Sequence, residues 1–199
     1  MQTKPTPLAE SIRFFSRFAT DPSAVGAVAP SSSALARAMV TWIDWSEVDR
    51  VAEYGPGTGA FTPQILDRLG EEDRFFAVER DAGLARRFRE RFPGTPLYRD
   101  SVENIAALCE REGLEGLDAV ICGLPWASFP PDLQRRLLEQ TAGVLREGGY
   151  FATFAYLSGF VVPGAHRFQR LLPEYFSRVE RSPVVWRNLP PAFVYRCRR

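Results

Sequence analysis

The stretch Val51-Ala52-Glu53-Tyr54-Gly55-Pro56-Gly57-Thr58-Gly59 constrains this chain more than any other. A short apolar run carries one acid, Glu53, and then glycine at every second position. Glycine reaches positive φ without steric cost, so alternate glycines let the backbone turn sharply and approach a ligand closely. A strand that enters such a turn and leaves it as a helix is the repeating unit of a parallel α/β sheet. Glu53 stands two residues before Gly55, where it can accept hydrogen bonds from an amino or hydroxyl group.

The rest of the chain continues that alternation. Strands are predicted at Arg50–Tyr54, Arg74–Val78, Pro96–Arg99, Leu117–Cys122 and Tyr150–Tyr156. Helices are predicted from Thr62 to Gly70, Ala82 to Phe92, Val102 to Arg111, Pro131 to Arg146 and Ala165 to Leu172. Phe176–Trp186 and Ala192–Arg198, split by Asn188-Leu189-Pro190-Pro191, read as a closing antiparallel pair. The expected fold is α/β: a doubly wound, Rossmann-like sheet with a terminal antiparallel strand pair and N-terminal helices. A chain of 199 residues is long enough for one domain with a sizeable core. Residues 1–45 form a helical cap of that domain and 46–199 its body. The cap holds a loose tail over 1–7 and a helix over Leu8–Thr20. A second helix, from a Pro30-Ser31-Ser32-Ser33 cap to about Trp42, completes it.

Charge and composition narrow the function classes. Lys+Arg is 25 against Asp+Glu 24, which gives no support to a general nucleic-acid binder. Residues 167–199 nevertheless hold eight Arg against Glu174 and Glu180, a net of +6. Such an end suits phosphates or anionic lipid, or is a solvated surface. His166 is the only histidine, and Cys109, Cys122 and Cys197 form no C-x-x-C pair. A zinc site or a Ser-His-Asp triad is therefore poorly supported, and no metal is expected. No secretory signal or membrane span is legible, so a cytoplasmic location is expected. Leu8, Ile12, Phe15 and Phe18 share one helical face, with Arg13 and Arg17 opposite. Residues 8–20 thus either pack on the core or touch a membrane surface peripherally.

In doubly wound sheets the ligand lies beyond the carboxyl ends of the strands. The candidates there are Glu53, Gly55, Gly57 and Gly59 after the first strand and Glu79 after the second. Asp100 and Ser101 follow the third strand, and Gly123-Leu124-Pro125-Trp126 the fourth. Gly55-x-Gly57-x-x-Ala60, with Glu79 about 20 residues on, also fits the dinucleotide pattern. An acid after the third strand and an L-P-aromatic turn after the fourth are not part of that pattern. Each residue has a plainer role available. Glu79 can pair with Arg80, Asp100 can cap a helix, and Trp126 can simply pack behind a turn. His166 can be a helix-surface residue.

These residues resemble motif I and its companions in the class I S-adenosylmethionine (SAM)-dependent methyltransferases. Four segments together look like the bacterial phospholipid N-methyltransferase family across nearly the whole chain. They are Ala24–Ser32, Glu53–Gly59, Gly123-Leu124-Pro125 and Val185-Trp186-Arg187-Asn188-Leu189-Pro190-Pro191-Ala192. More remotely the chain resembles the rRNA adenine dimethylases, whose strand-4 motif N-L-P-Y is G-L-P-W here. The resemblance implies SAM as cofactor, held by Glu53, Gly55, Gly57, Gly59, Glu79, Asp100 and Ser101. It implies an acceptor turn of Gly123, Leu124, Pro125 and Trp126, and a phospholipid or small amine as substrate. The expected activity is stepwise N-methylation of phosphatidylethanolamine or its methylated derivatives. A soluble acceptor, RNA adenine or a non-catalytic SAM-binding role are the alternatives. Gly123 stands where the adenine enzymes carry Asn, which disfavours nucleic acid. Tyr54, Trp126 and Tyr156 are the aromatic faces on which a methylated cation could rest.

Overall fold

A computed structural model describes residues 31–70 and 74–199. Among these residues seven strands form one sheet: β1 Arg50–Tyr54, β2 Arg74–Val78, β3 Leu97–Tyr98, β4 Leu117–Cys122, β5 Leu145–Tyr156, β6 Arg178–Arg181 and β7 Ala192–Arg198. Their order is β3-β2-β1-β4-β5-β7-β6. All neighbours are parallel except β7, which runs antiparallel to both β5 and β6. The chain reverses its direction of winding between β1 and β4, and that switch point opens a crevice at the carboxyl ends of both strands.

Among the described residues six helices cover the sheet: α1 Ser33–Val40, α2 Thr62–Leu66, α3 Ala82–Arg91, α4 Ile105–Arg111, α5 Pro131–Val144 and α6 Pro163–Tyr175. Side chains alternate across a strand, so each strand supplies both faces. Ala52, Phe76, Val120 and Phe151 pack with Ile105, Leu138 and Leu172 from α4, α5 and α6. Val51, Ala77, Ile121 and Val194 pack with Leu35 and Met39 of α1, Ile65 of α2 and Phe88 of α3. Local chemistry fixes the helix starts. Ser32 accepts from Leu35 N–H (3.2 Å) and Asp81 from Leu84 N–H (2.8 Å), while α2 and α5 have Pro in the first turn.

Several boundaries differ from the sequence reading. β5 begins at Leu145, not Tyr150, because Leu145 pairs with Leu117 ahead of an irregularity in the ladder; α5 therefore ends at Val144. α6 is longer than predicted and carries Pro173 inside it. α2 stops at Leu66, well before Gly70. β6 covers only four residues of the predicted Phe176–Trp186 run. Pro183 has no N–H for the ladder, and Ser182 Oγ instead accepts from Val194 N–H (2.9 Å). Beyond that break Val185 makes a single bridge to Ala192. The predicted Leu8–Thr20 helix lies outside the described residues.

Candidate active site

The glycine loop after β1 closes on two neighbouring loops. Gly55, Gly57 and Gly59 all have positive φ. Gly57 borders open space: a Cβ built there meets nothing within 4 Å. It is the part of the loop left clear for a ligand. Gly123, by contrast, is a close-approach glycine. A Cβ there would stand 2.7 Å from the Gly55 carbonyl oxygen, while Gly123 N–H donates to the Tyr54 carbonyl (2.7 Å). The loops after β1 and β4 are thus in backbone contact, with Leu124 against Gly55. Arg91 of α3 steadies the far side by donating to the Thr58 carbonyl (2.8 Å), with the Phe92 ring beside Gly59.

Two acids stand at the head of the crevice. Glu53 is wholly buried; its Oε2 accepts from the Thr62 hydroxyl (2.7 Å). Its Oε1 meets no donor among the described residues. Burial, with the charge of Glu79 adding and the Thr62 bond opposing, pushes the Glu53 carboxyl up to about 8. Glu79 is nearly as buried. Its Oε2 accepts from Gly57 N–H (3.2 Å) and its Oε1 from Asp81 N–H (2.9 Å). Burial raises its pKa too, against those backbone bonds. Glu79 therefore ties the loops after β1 and β2 together through backbone N–H groups rather than through Arg80.

The remaining predicted residues are placed differently from one another. Asp100 Oδ1 accepts from Ser101 N–H (2.6 Å) and Asn104 Nδ2 (2.7 Å) at the end of β3. Ser101, not Asp100, caps the short helical turn Val102–Asn104, through a bond from Glu103 N–H. In the turn after β4 the Leu124 and Pro125 carbonyls accept from Trp126 and Ser128 N–H (3.0 Å each); the Gly123 carbonyl accepts from neither. The Trp126 indole does not face the crevice. It is buried, stacks on Phe168 with centroids 4.4 Å apart, and donates from Nε1 to Thr153 Oγ1 (3.1 Å). Tyr54 is likewise wholly inside the core, so neither ring offers a face to a cation. Tyr156 remains half-buried at the end of β5.

Sequence reasoning missed Thr62 and an aromatic row. Phe61 borders Gly123, packs edge-to-face on Phe154 (5.7 Å), and Phe154 packs in the same way on Tyr156 (5.4 Å). Phe61 follows directly on the glycine loop, but only the sheet brings it to Phe154. Thr62 had a signal, a hydroxyl at a helix start nine residues after Glu53. Among the described residues no cluster of three or more His, Cys, Asp or Glu side chains is grouped to hold a metal.

The donor set fits SAM. An unpartnered oxygen of a buried acid awaits a cation such as a methionyl ammonium, a second buried acid suits ribose hydroxyls, and Gly57 leaves room between them. A seven-stranded sheet of this order with that crevice defines a class I SAM-dependent methyltransferase. Comparison with known proteins agrees. No protein-family model matches the chain. The chain is 34% identical over 188 residues to the ornithine lipid N-methyltransferase of Singulisphaera acidiphila, covering 93% of this chain and 94% of that one. It belongs to that enzyme's family of lipid N-methyltransferases and uses SAM as its cofactor. A shorter match, 38% over 85 residues, reaches the ribosomal RNA small subunit methyltransferase A of Bordetella pertussis. It covers 43% of this chain and only 27% of that protein. Among solved structures, the O-methyltransferase from Bacillus cereus in complex with SAH aligns at TM-score 0.68 and 15% identity, over 100% of this chain and 93% of that one.

Proposed function

We propose that this SAM-dependent methyltransferase methylates the primary amine of a membrane lipid. The observation that carries the reading is the 34% identity to an ornithine lipid N-methyltransferase along 93% of the chain. An ornithine lipid headgroup is thus the first acceptor to test. Phosphatidylethanolamine, which the motif resemblance implies, is the second.

When bound, SAM supplies an electrophilic methyl group on a sulfonium. Glu53 Oε1 would take its ammonium, Glu79 its ribose hydroxyls, and Asp100 and Ser101, at the end of β3, would meet its adenine. The acceptor must arrive as a free amine. An ammonium like that of Lys titrates near ~10.4, so neutrality at pH 7 costs about 5 kcal/mol. A water-poor approach along Phe61, Phe154 and Tyr156 lowers that cost by penalising the charged form. The Gly123 carbonyl, unused within its turn, can accept from the amine and orient its lone pair. No side-chain base is required, because positioning supplies much of the acceleration in an in-line displacement. RNA adenine is disfavoured by the same turn. Asn at position 123 would push its Cβ into the Gly55 carbonyl, so this chain does not offer that side-chain acceptor.

The test is transfer of labelled methyl from SAM to purified ornithine lipid, phosphatidylethanolamine, RNA and small amines in parallel. Label in a lipid headgroup amine is expected. Label confined to RNA or to soluble amines refutes the reading.

A further inference from the structure

We propose that the rim formed by residues 157–170 and 182–191 docks the enzyme on an anionic lipid bilayer, beside the mouth of its own active site. The proposal rests on a lipid-amine acceptor and adds where the membrane sits.

The two segments meet just past the end of β5. Tyr156 pairs with Ala192, and Leu157 N–H donates to the Pro191 carbonyl (2.9 Å). The first segment is also fastened to the acceptor turn. Gly164 lies so close to Ala127 that a Cβ would stand 2.1 Å from its carbonyl oxygen. Gln134 Nε2 bridges the Trp126 and Gly164 carbonyls (2.6 and 3.0 Å). Whatever this rim touches is therefore held next to the Gly123–Pro125 turn.

Its surface chemistry is unusual for water. Val161 is 87% exposed, Trp186 73%, Leu189 63% and Val162 39%, the whole set of large apolar side chains recorded as exposed among the described residues. All four lie on these two segments. The segments contain no Asp or Glu, and they carry Arg167, Arg170 and Arg187. Exposed apolar side chains on segments that carry arginine and no acid fit the headgroup boundary of an anionic leaflet: Trp and Leu enter the acyl edge and the guanidinium groups meet phosphates. A protein partner of ordinary mixed charge has no such one-sided requirement. His166, Arg167 and Arg170 also line an open groove of about 540 Å³ with Val161 and Leu171, so two of the arginines stand beside Val161.

The experiment compares the full chain with two double variants, Trp186→Ser/Leu189→Ser and Val161→Ser/Val162→Ser. Each is measured for co-sedimentation with equimolar phosphatidylethanolamine and phosphatidylglycerol vesicles. Methyl transfer to a short-chain lipid amine in detergent micelles is followed in parallel. The expected result is vesicle affinity reduced about tenfold or more in each variant, with SAM binding and micellar turnover retained. In the wild type, Trp186 emission shifts to the blue and is quenched by brominated lipid. Equal vesicle binding by wild type and variants, or no binding by the wild type, overturns the proposal. So does a self-association lost in the variants without vesicle binding, which assigns the patch to a second copy. Failure of the acceptor reading shows separately, as absence of transfer to any lipid amine even in micelles.

Discussion

Glu53 should make SAM binding a proton-releasing event. In the ligand-free protein its carboxyl titrates at about 8, because it is wholly buried and, among the described residues, only one of its oxygens is hydrogen-bonded. At pH 7, one unit below that value, about nine-tenths of the molecules hold the proton. An ammonium can pair only with the ionised form. Binding at pH 7 should therefore release about 0.9 proton, and the affinity should stand about tenfold below that of a pre-ionised site. Between pH 6 and 7 the association constant should rise nearly tenfold. Calorimetry in buffers of different ionisation enthalpy counts the protons. Glu53→Gln supplies the control, since any proton change on SAM itself is common to both proteins. That variant should bind about tenfold or more weakly, through loss of a charged hydrogen bond, and should release about one proton fewer. The same shift fixes a stability trend. The folded pKa lies above the unfolded value of 4.5, so the folded state keeps the proton longer. Ligand-free stability should fall as pH rises from 4.5 to about 8 and level off above it. Glu53→Gln should raise the melting temperature at pH 8 and leave it little changed at pH 4. Equal proton release by wild type and variant, with affinity flat from pH 6 to 7, would refute both the burial argument and the assignment of the ammonium to Glu53.

Gly123→Asn should displace the Gly55 loop, since the obstacle is a backbone oxygen. Overpacking of this kind costs about 1–3 kcal/mol, and SAM affinity should drop without any gain of adenine methylation in an RNA assay. Trp126→Ala should destabilise the fold by about 3–5 kcal/mol through the cavity left on Phe168, read by denaturant unfolding. Trp126→Phe should keep most of the methyl-transfer rate; loss of the rate with SAM binding intact would return the indole to the acceptor site. Asp118 is a buried acid at the opposite ends of the strands. It accepts from Asp49 and Arg50 N–H and pairs with Arg50 and with Arg146 (2.7 Å). Burial raises its pKa, but bonds from Asp49 and Arg50 outweigh burial and set it below 3.8. Its contribution is thus present above pH 3.8 and is lost as pH falls through the lower folded value. Asp118→Asn should cost about 1–3 kcal/mol at neutral pH by weakening the charge-assisted bonds that Asp118 accepts, since Arg50 and Arg146 stay partly solvated without it, with SAM affinity unchanged.

The parts legible from sequence were those set by local rules. A strand ending in Glu53 and alternate glycines, Pro63 and Pro131 in first turns, and serine or aspartate caps act over a few residues, and they placed the α/β alternation and the crevice acids. Counting to the ends of predicted strands put Glu79 and Asp100 just past β2 and β3, where they stand. Other features depend on pairs distant in the chain. Thr62 reaches Glu53, Phe61 meets Phe154, and Gly123 presses on the Gly55 carbonyl only once β1, β4 and β5 lie side by side. The direction of Trp126 also belonged to the tertiary structure. A G-L-P-W string cannot say whether its ring turns to the ligand or to the core, and Phe168 with Thr153, from far along the chain, supply the core answer. Exposure is decided at the same level. Val161, Trp186 and Leu189 read as ordinary apolar residues in sequence, and only the packed structure leaves each of them exposed.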